Sequence, residues 1–239
     1  MLFSILSGGS IQDIIISLLL TIPVVMLALS VHETAHGYVA YKCGDRTAYN
    51  LGRLTLNPAK HLDLVGTICM IIFGFGWAKP VPINTRNFRN PKRGMALSAA
   101  AGPVSNILLG LISAVFCGFS LALLNFLYFS STTEFWFNCA NWLYILTLFS
   151  AQINFTFAFF NLIPVPPFDG SRLALAFLPA KTYFGIMKYE RQIMFGILIA
   201  MLLLSRFGFS PFGWLADTLT DLISVPVANG FWAIFQNHL

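Results

Sequence analysis

The sequence predicts an all-α polytopic membrane protein: a bundle of about five to six transmembrane helices with one re-entrant segment and short membrane-associated strands. Three observations lead there. Of the 239 residues, 57% are hydrophobic and only 10% charged, against roughly 25% charged in soluble domains. Several apolar tracts exceed the roughly 18 residues that cross a bilayer, and the longest polar stretch, about fifty residues and interrupted, is too short for a separate soluble domain. All fourteen Lys and Arg fall in two blocks, 42–93 and 172–206. A single domain over 1–239 is expected, with a core of 11–178 and C-terminal helices over 190–235. The net charge of +5 belongs to the flanks of apolar segments, where it orients a membrane protein, so nucleic acid is not an expected partner.

Taken in order, Ser7-Gly8-Gly9-Ser10 reads as a turn leading into a first helix over 11–41, with Asp13 near its positive end. That helix is about 45 Å long, enough to cross with tilt. Lys42, Asp45 and Arg46 mark its exit into water. Residues 51–56 alternate apolar and polar before Pro58, as a short strand does. The run 64–78, broken by Gly66, Gly74 and Gly76, is marginal for a span and reads as re-entrant. Prolines extend 79–84, a second strand-like piece, and Arg86, Arg89, Lys92 and Arg93 follow as a basic cluster. A helix over 94–129 opens with a small-residue face, Ala96, Ser98 to Ala101 and Gly102, suited to close helix packing. Asn106, inside that helix, either joins two helices or binds a substrate backbone. Glu134 lies in a short loop, 135–163 is the next span, 192–204 another, and 212–235 either crosses or lies at the interface. Cys43, Cys69, Cys117 and Cys139 show no paired spacing and read as small core residues rather than ligands or disulfides.

Both basic blocks are expected on the cytoplasmic side, which puts the N-terminus and the 130–135 loop outside. A full crossing by 64–78 would strand the 79–93 cluster outside, so that segment is expected to dip in and return.

Inside the first helix stands Val31-His32-Glu33-Thr34-Ala35-His36-Gly37, an HExxH motif. With 3.6 residues per turn, His32 and His36 share one face, and both imidazoles can reach one zinc ion at about 2.0 Å. Glu33 then stands beside the metal, placed to take a proton from a metal-activated water whose pKa falls to roughly 7, the general-base role in peptide hydrolysis. Chance placement gives such a motif on the order of once in a thousand sequences of this composition. A catalytic zinc needs a third protein ligand and an open position. Asp169 follows a span that descends to the side HETAH approaches, and Pro164, Pro166 and Pro167 before it prevent a regular helix, which at membrane depth implies a water-lined or protein-buried site. Alternatively Asp169 merely caps the helix that starts at Ser171.

HETAH in a membrane helix, AGPVSN at 101–106, and a later span ending in NLIPVPPFDG together resemble the site-2 protease family of intramembrane zinc metalloproteases. The resemblance covers the first helix through about residue 178. It implies one Zn²⁺ per chain held by His32, His36 and Asp169, with Glu33 as catalytic base, and it implies that Asn161 helps stabilise the oxyanion formed during hydrolysis. NPAKHLD at 57–63 and GWAKPVP at 76–82 resemble a subgroup of small bacterial and archaeal members, without room for the PDZ or CBS domains some relatives carry. The implied setting is a prokaryotic cell membrane, the active site nearer the cytoplasmic side, with transmembrane proteins as substrates and the lipid bilayer as surroundings. His61 and Asp63 either orient a ligating histidine or form a pair at the mouth of the site. Two other classes compete: a membrane zinc transporter, against which the lack of visible repeats counts, and a non-catalytic scaffold holding structural zinc.

Overall fold

The computed structural model describes residues 10–73, 78–130, 133–166, 168–174, 177–206 and 211–236. The expectations for the turn at 7–9, for Gly74, Gly76, Trp77 and Pro167, and for the side chains of Asp13, Cys69 and Glu190 fall outside the described residues. The chain is an all-α polytopic membrane protein. Helices α1 (Ile11–Lys42), α2 (Thr47–Asn50), α3 (Leu64–Phe73), α4 (Pro91–Phe129), α5 (Glu134–Leu162), α6 (Asp169–Ala174), α7 (Ala180–Met187), α8 (Glu190–Arg206) and α9 (Pro211–Phe235) follow one another.

Among the described residues four helices are long and apolar enough to cross a bilayer, within Leu18–Lys42, Pro91–Phe129, Glu134–Leu162 and Pro211–Phe235, fewer than the five to six expected. The difference lies in α8. Its 17 residues span about 26 Å, short of a roughly 30 Å hydrocarbon layer, and it begins and ends with charged residues. Helix α3, with 10 residues, reaches about 15 Å and cannot cross by itself. The strands expected over 51–56 and 80–84 do not form: the described residues hold only an isolated antiparallel bridge, Leu62 with Ala78. Pro80 and Pro82 have no N–H to offer a ladder, and the N–H groups of Val81 and Asn84 are taken by side chains, those of Glu33 and Asp45. After α2, Gly52 turns the chain at φ 61°.

The chain divides into two compact units, residues 1–105 with 161–194 and residues 106–160 with 195–239. In the first, α1 ends in a Schellman turn: Gly44, at φ 116°, donates to Tyr41 O at 3.1 Å while Asp45 donates to Ala40 O at 3.0 Å. Asp45, expected to face water, is buried at 1% exposure. Its Oδ1 accepts from Thr47 N (3.0 Å), Thr47 Oγ1 and Asn87 Nδ2 (2.9 Å), and its Oδ2 from Asn84 N (2.7 Å). Those bonds hold its carboxyl below the usual carboxylate range, although burial by itself pushes the other way. With Arg89 N on Cys43 O at 3.1 Å, they fasten the 84–89 stretch to the end of α1. Arg53 Nη2 adds a bond to Lys79 O at 2.9 Å.

In the second unit, α4 and α5 meet along a polar seam with seven-residue spacing on α4. Asn106 Nδ2 donates to Asn154 Oδ1 (3.0 Å), Ser113 pairs with Ser150 (2.9 Å) and Ser120 with Thr147 (3.1 Å). Asn106 and Asn154 are buried, so Asn106 ties two helices together. Ala114, Ala151, Phe155 and Ala216 form the apolar core of this unit, with Phe159, Leu219 and Ile223 packed on it. Small residues let the helices approach: a Cβ on Gly110 would lie 2.8 Å from the Phe155 ring. Lipid tails are as apolar as leucine, so such contacts and polar pairs, rather than hydrophobic exclusion, hold helices together here.

Candidate metal centre

Helix α1 places His32 and His36 one turn apart, with ring centroids 4.5 Å apart and planes at 88°. Asp169 arrives from the other end of the sequence as the first residue of α6, after the proline-rich turn. Gly170 is required there, because a Cβ would strike the carbonyl oxygens of Leu162 and Ile163. The three side chains converge. His32 Nε2 lies 3.0 Å and His36 Nε2 3.1 Å from Asp169 Oδ2, and the two Nε2 atoms are 3.0 Å apart. Both histidines are buried.

The donor set fits a tetrahedral cation. Ligand atoms on a tetrahedron with bonds of 2.0–2.1 Å stand about 3.3 Å from one another, close to the spacing here. The tautomer points the same way. His36 Nδ1 lies 2.7 Å from the main-chain oxygen of Ser98, which can only accept, so Nδ1 carries the proton. In the neutral ring, Nε2 then turns a lone pair toward a carboxylate oxygen and a second imidazole nitrogen. A zinc ion among the three atoms would take an electron pair from each of them.

Helix α4 closes over this group. Ser98, itself buried, also donates from Oγ to His36 O at 3.0 Å. One turn on, a Cβ at Gly102 would lie 2.5 Å from His36 Nε2 and 2.6 Å from His32 Cε1. The 78–84 stretch also packs on α1. Glu33 Oε2 accepts a hydrogen bond from Val81 N at 2.8 Å, and Gly37 leaves room for Val81 and Leu54, whose atoms lie within 3 Å of where its Cβ would be. Thr34 Oγ1 and His61 Nε2 both donate to Thr55 O, each at 2.7 Å. His61 therefore pins a loop rather than a ligating imidazole. Asp63 caps α3, its Oδ1 accepting from Gly66 N at 2.8 Å.

A model of peptidase family M50, the family of the site-2 proteases, matches residues 19–205, a stretch that takes in the whole of this centre. The chain belongs to peptidase family M50. It is 42% identical over 161 residues to YwhC of Bacillus subtilis (strain 168), a protein whose given name is that of a zinc metalloprotease; the match covers 64% of this chain and 67% of YwhC. No solved structure matches it significantly.

In this M50 chain Asn161 is half-buried in the last turn of α5, eight residues before Asp169. The sequence marked Ser98 and Gly102 only as small residues suited to packing. It placed Asp45 in water and missed its bonding role, although Asp-x-Thr, with a side chain able to accept from the backbone two residues on, is a recognisable turn signal.

Proposed function

We propose that this M50 peptidase is a zinc-dependent intramembrane endopeptidase that cleaves peptide bonds within transmembrane segments of other membrane proteins. The observation that carries the reading is the convergence, within 3.1 Å, of His32 and His36 from the long hydrophobic helix α1 with Asp169 from α6, Glu33 standing next to His32. His32, His36 and Asp169 hold one Zn²⁺. When bound, zinc supplies a Lewis-acid centre that brings the pKa of water down to about 7. Glu33 takes the proton from the attacking water and passes it to the leaving amine. Asn161 donates to the oxygen on which negative charge develops. Substrate helices unwind locally before cleavage, since a helical carbonyl is already engaged, and residues that break helices near the cut favour it. In this reading the site opens to the cytoplasmic side, which the Lys and Arg blocks flanking it in the sequence support through the positive-inside rule.

The experiment is to co-express the wild type or Glu33→Gln and compare the membrane-protein fragments that accumulate. Fragments with the wild type and none with Glu33→Gln, both proteins carrying one zinc, support the reading. Identical fragment patterns overturn it. Altered zinc flux without cleavage would mark a transporter.

A further inference from the structure

We infer that Ser98 is the positioning residue of this centre: through two bonds to one residue, it sets the tautomer of His36 and the register of α4 on α1. The inference rests on the metal-centre reading and adds a residue that neither binds the metal nor touches substrate. The two bonds run in opposite senses. The carbonyl of Ser98 accepts from His36 Nδ1 at 2.7 Å, and its hydroxyl donates to the carbonyl of His36 at 3.0 Å. The carbonyl alone fixes which nitrogen carries the proton, leaving Nε2 free to face Asp169 and His32. Any residue has a carbonyl, however, and it serves only if α4 stays at one height against α1. A slip of one residue moves it by about 1.5 Å along the helix and turns it about 100° around the axis, away from the ring. The hydroxyl opposes that slip by bonding main chain on the same residue whose ring the carbonyl holds. At 1% exposure, Ser98 has no water to substitute for either partner. Gly102, one turn along, permits the approach, since any side chain there meets both imidazoles.

The test uses the full-length protein in detergent. Metal affinity is measured by competition with a chromogenic chelator for the wild type, Ser98→Ala and Ser113→Ala. Ser113→Ala removes a comparable interhelical hydroxyl bond that touches no histidine. Ser98→Ala is expected to bind zinc about tenfold more weakly, the lower end of the effect of losing a partner that orients a metal ligand, and to shift the visible spectrum of the cobalt-substituted protein. Ser113→Ala should match the wild type in both. Equal affinity and an unchanged cobalt spectrum in Ser98→Ala overturn the inference. If Ser98→Ala does not fold, nitrogen NMR of ¹⁵N-histidine-labelled wild type decides: a proton on His36 Nδ1 upholds the assignment, and one on Nε2 overturns it. A wild type that binds no zinc brings down the metal centre itself, a result distinct from the one that singles out Ser98.

Discussion

The carboxylate of Glu33 accepts a hydrogen bond from the main-chain N–H of Val81, 2.8 Å away, so the candidate base is held by a residue 48 positions further along the chain. Pro80 and Pro82 on either side carry no N–H of their own. This makes the Val81 amide the donor that the extended stretch can present to Glu33.

Glu33→Gln keeps an acceptor oxygen for that amide, whereas Glu33→Ala leaves a partly buried N–H unpaired. Both variants are expected to lose proteolysis. Only Glu33→Ala should lose stability, by about 1–3 kcal/mol, read as a lower denaturation midpoint in detergent with bound zinc unchanged. Equal stability of the two variants would show that the Val81 contact contributes nothing to the fold.

Gly102→Ala should leave α4 intact, since alanine favours helix over glycine by about 1 kcal/mol. It also puts a methyl group 2.5 Å from His36 Nε2. The expected outcome is a folded protein with zinc affinity reduced more than tenfold and proportionate loss of activity, measured by metal analysis after dialysis. Full zinc occupancy would mean that the helices part at little cost.

Much of this arrangement was legible in the chain beforehand. His32 and His36 sit at i and i+4, and the resemblance carried by NLIPVPPFDG implied Asp169 as their partner, where the residues by themselves left a helix cap equally open. The bonds that steady the site could not be anticipated. Ser98 with His36, Val81 with Glu33 and Asn84 with Asp45 are separated by 62, 48 and 39 residues, and nothing local marks which small or polar residue will find which partner. The expected strands failed for a related reason. Alternation at 51–56 and prolines at 80–84 do signal extended chain, but pairing requires free N–H groups, and side chains had claimed those of Val81 and Asn84.

Asp45→Asn should destabilise by about 2–3 kcal/mol, because the carboxylate accepts on both oxygens and either orientation of an amide turns an NH₂ toward donors. The pH dependence follows from the lowered carboxyl. Its contribution is present above the unfolded value of about 3.9 and is lost as pH falls through the lower folded value. The stability gap between wild type and Asp45→Asn, measured by denaturation from pH 7 to pH 3, should be flat to about pH 4 and narrow below it. A gap that widens on acidification would contradict this.

A double-mutant cycle on Asn106 and Asn154 should give a coupling of about 0.6 kcal/mol, with about 1.7 as an upper value. Unfolding in mixed micelles provides the measurement. A coupling near zero would indicate that the seam's geometry follows from packing alone.

Asp45 and Cys43 hold Asn84 and Arg89 at the mouth of α1, so the polypeptide from 46 to 83 departs and comes back at a single junction. Its two ends are therefore set by that junction, while Leu54, Thr55 and Val81 bind its inner part to Gly37, Thr34 and Glu33 of the metal helix. Changes of length are best accommodated between those anchors, where the circuit leaves α1 untouched.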